Sequence, residues 1–171
     1  GKKTRKAGST SGNALGSLSI VGNASTNNLT FTNGNVGAIK VGRQITNWTV
    51  TAATTLTGGT IASLTAGAIN GLNLDAKLVG SINAIGNATA DLFGDLVGAT
   101  GFNTITIHGM PTGAPVFTGV GLGVLKTTRN MGAAGAGQSV KVTIENGSLT
   151  TVSVGYSMTN SGILVLSNAG N

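Results

Sequence analysis

Four carboxylates stand in the whole chain, Asp75, Asp91, Asp95 and Glu145, and they limit what acid–base chemistry is available. Cleavage of a polysaccharide needs carboxyl groups clustered about one bond, or carboxylates gathered around a calcium ion. Asp91 and Asp95 are close in sequence but point the same way only on a helix. Asp75 and Glu145 are far apart, and Glu145 precedes the turn pair Asn146-Gly147, where it reads as a solvated turn residue. His108 is the single histidine, beside Gly109, Met110 and Pro111, with no evident partner for metal binding or nucleophilic work. The run GVGLGVLKTT from Gly119 has the glycines of a phosphate loop but lacks the glycine that must directly precede Lys126. No catalytic residue, metal or cofactor is expected, and the chain is not read as an enzyme.

Composition points the same way. The charged share is 8%, about a third of the usual, while the hydrophobic share of 40% is enough for a core. Low charge with moderate apolarity is not the signature of disorder. Glycine (29 residues), Thr, Ser and Asn fill the difference, which suits strands joined by tight turns. The absence of cysteine excludes a disulfide framework and thiolate metal sites. No apolar run is long enough for a transmembrane helix. The chain opens on Gly1, which permits a removed leader and secretion. The net charge of +6 is concentrated in Lys2, Lys3, Arg5 and Lys6. With few aromatics and the other cations scattered along the sequence, nucleic acid is not expected as a partner. Sequons at Asn23, Asn28, Asn47, Asn87 and Asn146 permit glycosylation without arguing for it.

The residues that would position any site belong to a repeat. Leu29, Phe31, Val36, Ile39, Val41 and Ile45 align with Val142, Ile144, Leu149, Val152, Val154 and Met158, with Asn33-Gly34 against Asn146-Gly147 and Asn47 against Asn160. Apolar residues two apart are the period of a strand. Looser triads (LSI from Leu18, IKV from Ile39, LTA from Leu64, INA from Ile82) recur behind a Gly/Ala-rich lead-in, LGSLSI, VGAIKV, IASLTA and VGSINA. The unit is roughly 21 residues. An antiparallel β-sandwich is the alternative, but it needs no likeness between successive strands. Identical environments at a fixed period predict an all-β parallel β-solenoid, each coil stacked on the last. Regular Thr ladders that could order ice are not expected, because triad centres vary among Ser, Thr, Lys and Asn.

Runs such as VGSINAIGNAT and GNVGAIKVG resemble the Gly/Asn/Thr-rich repeats of right-handed parallel β-helix proteins secreted by bacteria, particularly surface proteins and adhesins. The resemblance covers Leu15 to about Asp91 and Val140 to Leu166. It implies the fold and an extracellular or cell-surface setting, and it transfers no catalytic residue.

The expected organisation is a basic arm over 1–11, solenoid coils over 12–91, an irregular segment or lobe over 92–139 with a short helix at Asp91–Leu96, and further coils over 140–171. Pro111 and Pro115 mark a loop or an edge within the irregular segment. Neither end of the repeat shows a capping helix or a charged cap, and exposed strand edges invite pairing. The expected role is therefore a structural subunit that polymerises head to tail. Leu18 and Ile20 form one contact surface, Ile163, Leu164, Val165 and Leu166 the other, and Lys2, Lys3, Arg5 and Lys6 act as a clasp. The partner is the chain itself. An adhesin-type module that binds surface glycans is the alternative.

Overall fold

The computed structural model describes residues 13–32, 34–52, 59–85, 94–98, 102–107, 114–119, 121–134, 140–145 and 147–166. Alternating apolar and polar residues fold as strands, and no helix occurs among the described residues. In order these are β1 (Asn13–Ile20), β2 (Ala24–Ser25), β3 (Asn28–Phe31), β4 (Asn35–Ala52), β5 (Thr60–Ala76), β6 (Leu78–Ala84), β7 (Gly94–Gly98), β8 (Phe102–Ile107), β9 (Pro115–Gly119), β10 (Gly121–Thr127), β11 (Val140–Glu145), β12 (Ser148–Val154) and β13 (Ser161–Leu166). They wind into one parallel β-solenoid of about six turns. Every pairing between these strands is parallel, which excludes the antiparallel sandwich.

Two ladders run along the stack. The first joins β1, the opening parts of β4 and β5, then β6, β8, β10 and β12. The second joins β3, the closing parts of β4 and β5, then β7, β9, β11 and β13. β4 and β5 pass from one ladder to the other, and the in-and-out alternation of β4 is lost at Gly42-Arg43, where the chain turns a corner. A short third side stacks Ala24 on Ile45 on Ile69, and it returns late in the chain as the Met131–Met158 bridge.

Each rung places one side chain in every inward row. Leu18, Ile39, Leu64, Ile82, Ile105, Leu125 and Val152 form one row of the first ladder. Leu29, Val50, Leu74, Leu96, Phe117, Ile144 and Val165 form the facing row of the second. Between the end rungs both rows are buried. Each such Leu, Ile or Val contributes about 1.5–3 kcal/mol, available only when a coil lies above and below it. Phe102 and Phe117 meet edge to face with ring centres 5.3 Å apart, tying the two ladders together.

The lead-in of the repeat has a steric cause. A Cβ on Gly37 would collide with the carbonyl of Gly16 on the preceding coil. The repeat itself holds from Val36 onward: Val36, Ile39 and Val41 share rows with Leu149, Val152 and Val154. Upstream it slips. Leu29 shares its row with Ile144 rather than Val142. Leu29 to Val36 is seven residues and Ile144 to Leu149 is five, so the turn differs by two. A slip of two leaves every side chain on its own face.

Where a lobe was expected over 92–139, the described strands β7 to β10 take regular places in the two ladders. The repeat is faint there because Phe102, Pro115 and Phe117 fill positions held elsewhere by Ile, Leu or Val. Leu96 is a strand residue buried in the core, not part of a helix, and Asp91 lies outside the described residues. Pro115 opens β9, a position that needs no N–H in the ladder. Pro111 and His108 lie outside the described residues.

Candidate functional site

Asp95 lies on β7 opposite Val116, in the same ladder as Asp75 and Glu145, and Asp75 and Glu145 do not converge. Asp75 and Glu145 stand in one line of backbone register in the second ladder, through Val97 and Thr118. They are three rungs apart, roughly 14 Å at the strand spacing, too far to act on one bond. The Thr118 hydroxyl donates to Glu145 Oε2 at 3.4 Å. Among the described residues no three His, Cys, Asp or Glu side chains cluster as metal ligands. Among the described residues no helix is long and apolar enough to cross a membrane.

The ends of the stack differ from its middle. In the row that buries Ile39 and Ile82 fully, Val152 on the last rung is 41% exposed. Val165, over the buried Ile144, is also 41% exposed. Leu149, Val154 and Ile163 beside them are half-buried. At the other end Leu15, Leu18, Ile20, Leu29 and Phe31 are half-buried against the core. Leu18 and Ile20 thus sit where the sequence places them, in inward rows of the first rung.

The four residues of the last strand divide. Ile163 and Val165 follow the inward positions of Val142 and Ile144, while Leu164 and Leu166 follow the outward positions of Thr143 and Glu145 and are exposed. The last rung therefore presents apolar side chains both on its open edge and on its outer wall. Val152, Leu149 and Val154 of the other ladder share that end, and sequence reasoning missed them. Their alignment with Ile39, Val36 and Val41 carried the signal. Lys2, Lys3, Arg5 and Lys6 lie outside the described residues.

A surface groove of about 650 Å³ opens at the corner after the first ladder. Its floor is Gly42 and Gly67, its walls include Val21 and Ile85, and Ser19, Lys40, Arg43 and Thr65 border it. Val21 is 89% exposed and Ile85 53%, so the glycines between them leave a gap.

Comparison with protein-family models, with curated proteins and with solved structures gives no match, so the functional reading rests on this geometry.

Proposed function

We propose that the chain is a structural subunit of an extracellular or cell-surface assembly, stacked head to tail through the ends of its solenoid. The observation that carries this is the 41% exposure of Val152 and Val165 in rows that are otherwise buried between the end rungs. The occupant is a second copy of this chain. Its first rung offers the same row positions as the last: Leu15 over Leu149, Leu18 over Val152 and Ile20 over Val154 continue rows that already run through every intervening strand. Strand edges at both ends supply the backbone pairing. The contact joins two different surfaces, so it propagates unless the rotation closes a ring. The outer walls, rich in Thr, Asn and Ser, keep such a stack hydrated although only 8% of the chain is charged.

Negative-stain imaging with sedimentation velocity at micromolar concentration tests the proposal. Filaments with an axial repeat of roughly 34 Å, seven rungs at the strand spacing, are the expected result. A monomer at all concentrations overturns it.

A further inference from the structure

Lys40 and Lys126 stand in one outward row of the first ladder, linked through Thr65, Asn83 and Thr106. Arg43 and Arg129 follow them by three residues, each second in a corner of equal length, Val41 to Ile45 and Thr127 to Met131. Those corners are built alike. On the first coil Asn23 Oδ1 accepts the Gln44 N–H, and on the late coil Asn130 Oδ1 accepts the Ser157 N–H. The Arg43 N–H bonds to the Gly22 carbonyl as the Tyr156 N–H bonds to that of Arg129. Buried Thr127 donates its hydroxyl to the Arg129 carbonyl at 3.3 Å, which pins the second corner. One Lys–Arg pair is therefore presented twice along a single edge, four rungs or about 19 Å apart.

Among the described residues no ion pair joins any of the four cations to a carboxylate, and the strands that carry Asp75, Asp95 and Glu145 all belong to the other ladder. Between the two pairs the row is neutral and polar: Asn83 Nδ2 donates to Thr65 Oγ1 at 3.3 Å, and Thr106 follows. The glycine-floored groove with apolar walls adjoins the first pair. Exposed Tyr156 is stacked next to Arg129 at the second.

We infer that this edge binds an acidic polysaccharide laid along the solenoid axis, its anionic groups on the two Lys–Arg pairs and its hydroxyls on the Thr65–Asn83–Thr106 row. Charge spacing selects this ligand. Duplex DNA carries a charge about every 1.7 Å, and a surface made for it would not leave three rungs neutral between cations. A sugar chain with occasional carboxylates or sulfates matches sparse cations separated by hydrogen-bonding groups. Apolar walls and an exposed tyrosine suit the C–H faces of sugar rings.

The test is binding of hyaluronan oligosaccharides to the intact chain by calorimetry across a salt series, with dextran and duplex DNA as comparators. Saturable hyaluronan binding that weakens with salt is expected, with no dextran binding and weaker DNA binding. Oligosaccharides too short to span both pairs should bind less tightly. K40Q/R43Q and K126Q/R129Q should each lower affinity on the order of tenfold, with the quadruple variant losing binding. K141Q, on the second ladder, should leave it unchanged. All these side chains are exposed, and equal melting temperatures would confirm intact folding. Equal affinity in the quadruple variant, tighter binding of DNA than of hyaluronan, or no hyaluronan binding at all overturns the inference. The quadruple variant should still assemble, so this result stands apart from head-to-tail stacking.

Discussion

Asn47 Oδ1 lies 2.5 Å from the point where a Cβ on Gly71 would stand. The two residues occupy the same turn on successive coils, between the pairs Thr46–Asn70 and Trp48–Leu72. Both have left-handed backbone, with φ of 49° and 79°, and Thr26 on the preceding coil has φ of 48°. Asn160 repeats it at φ of 45° on the last coil, which is why Asn recurs at this place in the sequence repeat. One turn geometry is copied from coil to coil, and each residue accommodates it differently.

Gly71→Ala meets both penalties, left-handed backbone and a collision with Asn47, and should cost about 1–2 kcal/mol or more. Thr26→Asn should stabilise the fold by up to about 1 kcal/mol, since a β-branched residue is poorly suited to this conformation and Asn tolerates it. Urea denaturation of both variants checks the opposite signs.

Ile82→Ala, in the middle of a buried row, should cost about 2–5 kcal/mol. Val165→Ala should cost under about 1 kcal/mol in the monomer, because its side chain is already 41% exposed. Equal losses in denaturation experiments would show that the last rung is covered.

Asn130→Ala removes the acceptor that holds the Ser157 N–H and should cost roughly 0.5–1.5 kcal/mol. Asn130→Asp keeps an acceptor at that place and should recover most of the loss. A change in side-chain bulk alone would not separate these two variants in thermal melts.

Val152→Lys and Val165→Lys put a charge into the open ends of two inward rows. Each should abolish filaments in sedimentation while shifting the melting temperature of the monomer little. Filaments that persist in both variants would place the contact elsewhere, with the outward Leu164 and Leu166 the next surface to change.

The stacked coils were legible because Ile39, Leu64 and Ile82 meet the same environment and so stay alike. The chain from Leu96 to Phe117 was not, since aromatic residues and a proline satisfy the same rows with other shapes. The sequence places Leu18 and Val165 on the end rungs, where the register puts them, but gives no sign that Val152 shares the last rung, because its strand resembles an interior one. The cationic edge could not be read at all. Lys40 and Lys126 are distant in sequence, and only the register through Thr65, Asn83 and Thr106 brings them into one line.

In each ladder the backbone hydrogen bonds run parallel to the axis and join only neighbouring rungs. Tension applied along that axis would fall on one terminal rung at a time, as on a zip, whereas tension along a strand would shear a whole rung at once. Each coil peeled away would release on the order of 20 residues and lengthen the tether by roughly 65–70 Å. Such a module would yield in steps under load and rewind from the coils still in place.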